Sequence, residues 1–202
     1  MTAMTLAFRS GLPFRCCMRT LSGQFDSLTC DPPPRWRFLN YPRMAAIIVA
    51  VSSLLALANL DNTLFWDDEA QVGIIARNLL ESGRLTAWDG RNLYAYRNGT
   101  LLNDDLIINN PPLQYYVAAL SFHVFGASTW AGRIPFVILG LIALWVFHRI
   151  LCQEFPRHPL FRLYALALFA FSMPFLLNIR QCRYYATSLL ASVVAYYVYK
   201  RA

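Results

Sequence analysis

The chain has 202 residues, of which 57% are hydrophobic and 15% aromatic, with a mean hydropathy of +0.38 and a formal net charge of +7. So little polar surface cannot cover a soluble core of ordinary proportions, which points to an integral membrane protein. The basic excess is almost all arginine and lies beside apolar runs rather than in a patch interleaved with aromatics, so nucleic acid is excluded as a partner.

Residues 1–43 combine Pro32-Pro33-Pro34 with six arginines and show no sustained period, which predicts a disordered basic arm on the cytoplasmic side. It lacks the long apolar region and small-residue cleavage site of a signal peptide. Met44 to Leu60 is nearly unbroken Ala, Ile, Val and Leu, enough for a short span. Arg43 precedes it and acids follow, so the rule that cytoplasmic loops are positive puts the N-terminus inside and residues 61–130 outside as a first external loop.

Within that loop, Val72, Ile75 and Leu79 share a helical face, with Ile74 and Leu80 widening it, and Ser82-Gly83 stops the pattern. The spacing predicts an amphipathic helix of about fourteen residues from Asp68, lying at the membrane surface. Asp68 reads as its N-cap, with Gln71 three residues later as in an acidic capping box. Residues 84–110 lack period and read as loop, with a turn at Asp89-Gly90 and a glycosylation sequon at Asn98-Gly99-Thr100.

Four more apolar stretches follow: Pro112–Gly126, Trp130–Leu151, Phe161–Ile179 and Tyr184–Tyr199. If the short first one lies along the interface, the arginines at 149, 157 and 162, Lys200-Arg201 and the N-terminal arm all fall inside. The expectation is therefore an all-α polytopic membrane protein with about four spans in the plasma (inner) membrane, both ends of the chain cytoplasmic. The turn Asn178–Tyr184 then shares the outer face with Asp67 and Asp68.

An ionised carboxylate at a helix N-terminus can take a proton from a hydroxyl, which makes Asp68 a candidate base. Asp67, Asp68 and Glu69 in a row could also hold a divalent cation with oxygen ligands from elsewhere. Arg180 and Arg183 read either as interfacial snorkelling residues or as bidentate contacts to a phosphate. Tyr184 and Tyr185 read as interface-belt aromatics. The five cysteines show neither zinc nor disulfide spacing and read as free thiols. Scattered histidines and the lack of a Gly-rich phosphate loop disfavour hydrolase triads and nucleotide hydrolysis.

The succession Asp67-Asp68-Glu69-Ala70, then Ile74 to Gly83, then Asn110-Pro111-Pro112-Leu113-Gln114-Tyr115-Tyr116, then Arg133-Ile134-Pro135, then Arg180 to Tyr185 resembles the N-terminal part of the GT-C glycosyltransferases. Within them it is most similar to the protein O-mannosyltransferase and lipid A aminoarabinose transferase group, over residues 44–202. The resemblance implies transfer of a sugar from a polyprenyl-phosphate donor at the outer membrane face to a glycan, lipid or protein acceptor hydroxyl, with inversion. The family's catalytic aspartate matches Asp68, with Glu69 beside it and Asp67 as the alternative in a shifted register; Arg180, Arg183 and Tyr184 are the implied contacts to the donor phosphate.

Two departures stand out. The aminoarabinose transferases carry an acid and a lysine before the paired prolines where this chain has Asn109 and Asn110, so that subfamily's substrate does not carry over. The family's enzymes also have many more spans, so the resemblance implies a partial enzyme. The competing reading is a non-catalytic membrane protein, an assembly subunit or remnant, whose acidic loop binds a partner.

Overall fold

A computed structural model describes residues 40–86 and 110–202, which belong to one unit, Phe38–Ala202. The remainder of the N-terminal arm, the Asp89-Gly90 turn, the sequon, Asn109 and Cys16, Cys17 and Cys30 lie outside the described residues. Those described form seven helices in the order α1 (Tyr41–Leu57), α2 (Asp67–Ser82), α3 (Leu113–Phe125), α4 (Thr129–Glu154), α5 (Pro159–Ala170), α6 (Met173–Ile179) and α7 (Tyr185–Tyr199). The all-α expectation holds for them.

Helix α4 is the axis, packing on α1, α3, α5, α6 and α7, while α3 bridges it to α2. At one end of the bundle the start of α1 meets the end of α4, Tyr41 Oη lying 2.9 Å from His148 Nε2. The start of α5 joins them through Arg162, 4.1 Å above the Tyr41 ring, and the end of α7 through Lys200, 3.1 Å from Glu154. At the other end Arg180, just after α6, donates to Ala58 O just past α1 at 2.6 Å. Arg133, near the start of α4, donates there to Leu60 O at 2.7 Å. So α1, α4, the α5–α6 pair and α7 alternate in direction between the two ends, and α2 and α3 sit at the second.

Among the described residues only α4 is by itself long and apolar enough to cross a bilayer: its 26 residues span roughly 39 Å at about 1.5 Å each. Helices α1 and α7 are apolar but shorter, at 17 and 15 residues. Helix α1 begins and ends three residues earlier than its apolar run suggests, because Pro42 fits the first helical turn after Asn40 and the chain leaves the helix at Ala58. Asn59 then takes a left-handed φ of 54°.

The stretch Phe161–Ile179, expected as one span, is broken into two helices bent by 52° that are together long and apolar enough to cross. Pro174 causes the break: it brings no N–H for Ala170 O, and its ring would meet that carbonyl in a continuous helix. Ser172 restarts the chain as an N-cap, accepting from Phe175 N at 3.4 Å.

The orphaned Ala170 carbonyl does not go unpaired, since buried Ser52 of α1 donates to it at 3.0 Å. Helix α4 repeats the device. Pro135 lies inside that helix and leaves Ala131 O without its usual donor, and buried Ser121 of α3 fills the place at 2.5 Å. Each proline thus converts a lost helical bond into an inter-helix one.

Candidate functional site

Helix α2 starts one residue before the expected position, with Trp66 extended at the N-cap and no side-chain cap bond. The N-cap reading of Asp68, and with it the capping box, is therefore corrected: Asp67, Asp68 and Glu69 all lie in the first turn, where the helix dipole favours negative charge. Gly83, left-handed at φ 72°, ends the helix where Ser82-Gly83 indicates. Val72 and Ile75 are buried as expected, Leu79 is half-buried, and Leu80 faces outward.

Consecutive residues on a helix point about 100° apart, so three adjacent acids have three fates. Asp67 is exposed and has no ion-pair partner among the described residues. Glu69 is buried, 1% exposed, and holds Arg133 through two bonds, Nε to Oε1 at 3.0 Å and Nη2 to Oε2 at 2.6 Å. Its Oε1 also accepts from the Cys182 backbone N–H at 2.8 Å, so Glu69 fastens α2 to α4 and to the turn before α7. Asp68 points between these two and meets Arg183, Nη1 to Oδ2 at 2.5 Å. The Asp68 side chain stays 43% exposed while that of Arg183 is 14% exposed.

Arg133 spends its remaining donors on the segment before α2: Nη1 reaches Leu60 O and Thr63 O at 2.7 and 3.0 Å, and Nη2 reaches Leu64 O at 3.2 Å. Its guanidinium carbon lies 5.5 Å from the centre of the Phe65 ring. That ring fits only because Gly132 and Gly73 lack side chains; a Cβ at Gly132 would overlap Phe65 Cζ. One buried, bidentate pair therefore fixes the loop, the helix start and the turn that carries Arg183.

The other residues singled out from the sequence separate. Arg180 turns away from Asp68 and caps α1 through Ala58 O. Tyr184 and Tyr185 flank Arg183, whose guanidinium carbon is 5.6 and 5.1 Å from their ring centres. The three carboxylates diverge, and no group of three or more metal-ligating side chains gathers among the described residues. The acids thus do not fit a shared divalent cation.

Behind the pair lies a polar layer that the residue pattern does not announce. Gln114 and Tyr115 at the start of α3 are buried, and neither Gln114 amide atom nor Tyr115 Oη has a hydrogen-bond partner among the described residues. Burial pushes the Tyr115 hydroxyl above its ordinary range, and the Arg183 charge pulls the other way. Cys182 is fully buried; burial, then the Glu69 charge, raises its thiol, and Arg133 opposes them. Cys182 and Cys152 are both free thiols.

Arg133 was legible only as one member of the motif Arg133-Ile134-Pro135. The signal for a larger role is a cation in the second turn of α4, directly ahead of the long apolar run from Ile134 to Phe147, a placement that calls for a buried partner. The chain matches no family model, no curated protein and no solved structure.

Proposed function

We propose that this chain is the N-terminal part of a polytopic GT-C-type glycosyltransferase, with Asp68 as general base and Arg183 as a contact to the phosphate of a polyprenyl-phosphate sugar. In that reaction the acceptor oxygen attacks the anomeric carbon, Asp68 takes the hydroxyl proton, and the carbon–oxygen bond to the lipid phosphate breaks with inversion. The phosphate leaves with the bonding electron pair, and cationic side chains stabilise its charge.

The observation that carries the reading is the Asp68–Arg183 pair itself. A half-exposed carboxylate touches a guanidinium 115 residues away, at the one end of the bundle where α2, α3 and the 180–184 turn collect. Asp68 sits beside a neighbour that is already fixed, so its own geometry is set without its charge being used up in the core. Membrane insertion is supported by outward-facing Leu54 on α1, Ile138 and Trp145 on α4, Leu168 on α5 and Val198 on α7, all exposed. With α4 and the bent α5–α6 pair between them, Asp68 and Arg183 are separated by two traverses and share one side.

The test uses the 202-residue chain in lipid nanodiscs with undecaprenyl phosphate as probe. Binding is expected, weakened at least about ten-fold by Arg183→Ala. In the same nanodiscs, supplied with an undecaprenyl-phosphate-linked sugar and an acceptor, Asp68→Asn is expected to abolish transfer. No binding of the probe, or transfer unaffected by Asp68→Asn, overturns the reading and leaves the non-catalytic one.

A further inference from the structure

We propose that the cleft between the end of α1 and the start of α4 is a saccharide subsite, where an acceptor glycan sits; this rests on the transferase reading above and narrows its acceptor from glycan, lipid or protein to glycan. The cleft measures about 570 Å³, within the ~300–1,000 Å³ typical of small-molecule sites. Apolar Leu57, Leu60 and Ile134, the indole of Trp130, and a rim of exposed polar side chains, Asn59, Asp61 and Asn62, line it.

That combination fits the two faces of a sugar. The C–H face of a pyranose packs on an indole, and its hydroxyls need planar groups that both donate and accept, which carboxamides and a carboxylate supply. The side chains of Asn59, Asp61 and Asn62 are exposed and make no hydrogen bond to the protein among the described residues. Their polar atoms are therefore available. The lining contains a carboxylate and no cation, which disfavours a phosphate or lipid headgroup there.

The rim is also held still. Asn59 turns the chain at a left-handed φ of 54°, Arg180 holds Ala58 O, and Arg133 holds Leu60 O and Thr63 O on either side of Asp61 and Asn62. A rim fixed before the ligand arrives loses little freedom on binding. Arg133 grips Glu69 as well, so one guanidinium sets both the rim and the helix turn that bears Asp68.

The experiment is saturation-transfer NMR on the chain in nanodiscs, with maltopentaose, cellopentaose and mannopentaose as probes and tryptophan fluorescence in parallel. At least one pentasaccharide is expected to bind, and Trp130→Leu and Asp61→Ala each to weaken it about ten-fold or more. Asp61 is exposed, so its variant folds even if Trp130→Leu does not. Absence of binding by all three sugars, binding unchanged in Asp61→Ala, or occupancy by dihexanoylphosphatidylcholine in place of sugar would each overturn the proposal. Saccharide binding reports on the cleft alone and transfer by Asp68→Asn on the base alone, so the two failures are distinguishable.

Discussion

Asp68 and Glu69 are adjacent in sequence, carry the same charge and each meets an arginine, yet the two pairs differ in almost every physical respect. Glu69–Arg133 is bidentate and buried, its side chains 2% and 8% exposed, with a backbone N–H completing the coordination. Asp68–Arg183 is a single contact with the carboxylate 43% exposed. The comparison teaches that ion pairing alone does not assign a role. Desolvation does: removing one member of a buried pair strands a charge, whereas an exposed carboxylate returns to water and remains free to exchange partners.

The largest expected effect follows from the buried pair. Glu69→Ala leaves Arg133 uncompensated and should cost about 3–5 kcal/mol, read from the unfolding midpoint in detergent. Next come positions where helices touch without room to spare. Gly140→Ala would drive a Cβ into Ile179 Cγ2 and force α4 from α6. A cost of about 1–3 kcal/mol is expected in the same assay.

Ser52→Ala and Ser121→Ala each abandon a buried carbonyl that a proline has already deprived of its helical donor, and should cost about 1–3 kcal/mol apiece. A threonine replacement retaining the hydroxyl should recover part of the loss. The smallest effect belongs to the half-exposed pair: Asp68, itself 43% exposed, makes a single contact, and Asp68→Asn, which keeps a polar partner for Arg183, should change stability by less than about 1 kcal/mol. Thiol labelling sharpens the picture of the turn between α6 and α7. Cys182, buried and held protonated, should resist maleimide in the folded chain near neutral pH and react after unfolding.

The sequence made the elements legible wherever a local rule decided them. Gly83 stops α2 because only a left-handed residue fits there, and the period of Val72 and Ile75 identifies the inward face. The break in the fourth apolar stretch was present as Ser172-Met173-Pro174, a serine cap followed by a proline, and was hidden by the unbroken hydropathy around it. Asp68 misleads as an N-cap for a different reason. Its preference for a cap is local, whereas the Arg183 it meets lies 115 residues away and cannot be foreseen from the neighbouring sequence. Which of the two acids is buried and which stays half-exposed was not legible at all, since it depends on which one faces Arg133 once α2 packs on α3 and α4.

The central claim is that the buried Glu69–Arg133 pair holds the fold while the half-exposed Asp68–Arg183 pair contributes little to it. Two double-mutant cycles measure it directly, one on Glu69 and Arg133 and one on Asp68 and Arg183, each read as the coupling energy in unfolding. The account predicts a coupling of roughly 3 kcal/mol or more for the first and under about 1 kcal/mol for the second. Equal couplings, or a larger one for Asp68–Arg183, would contradict it.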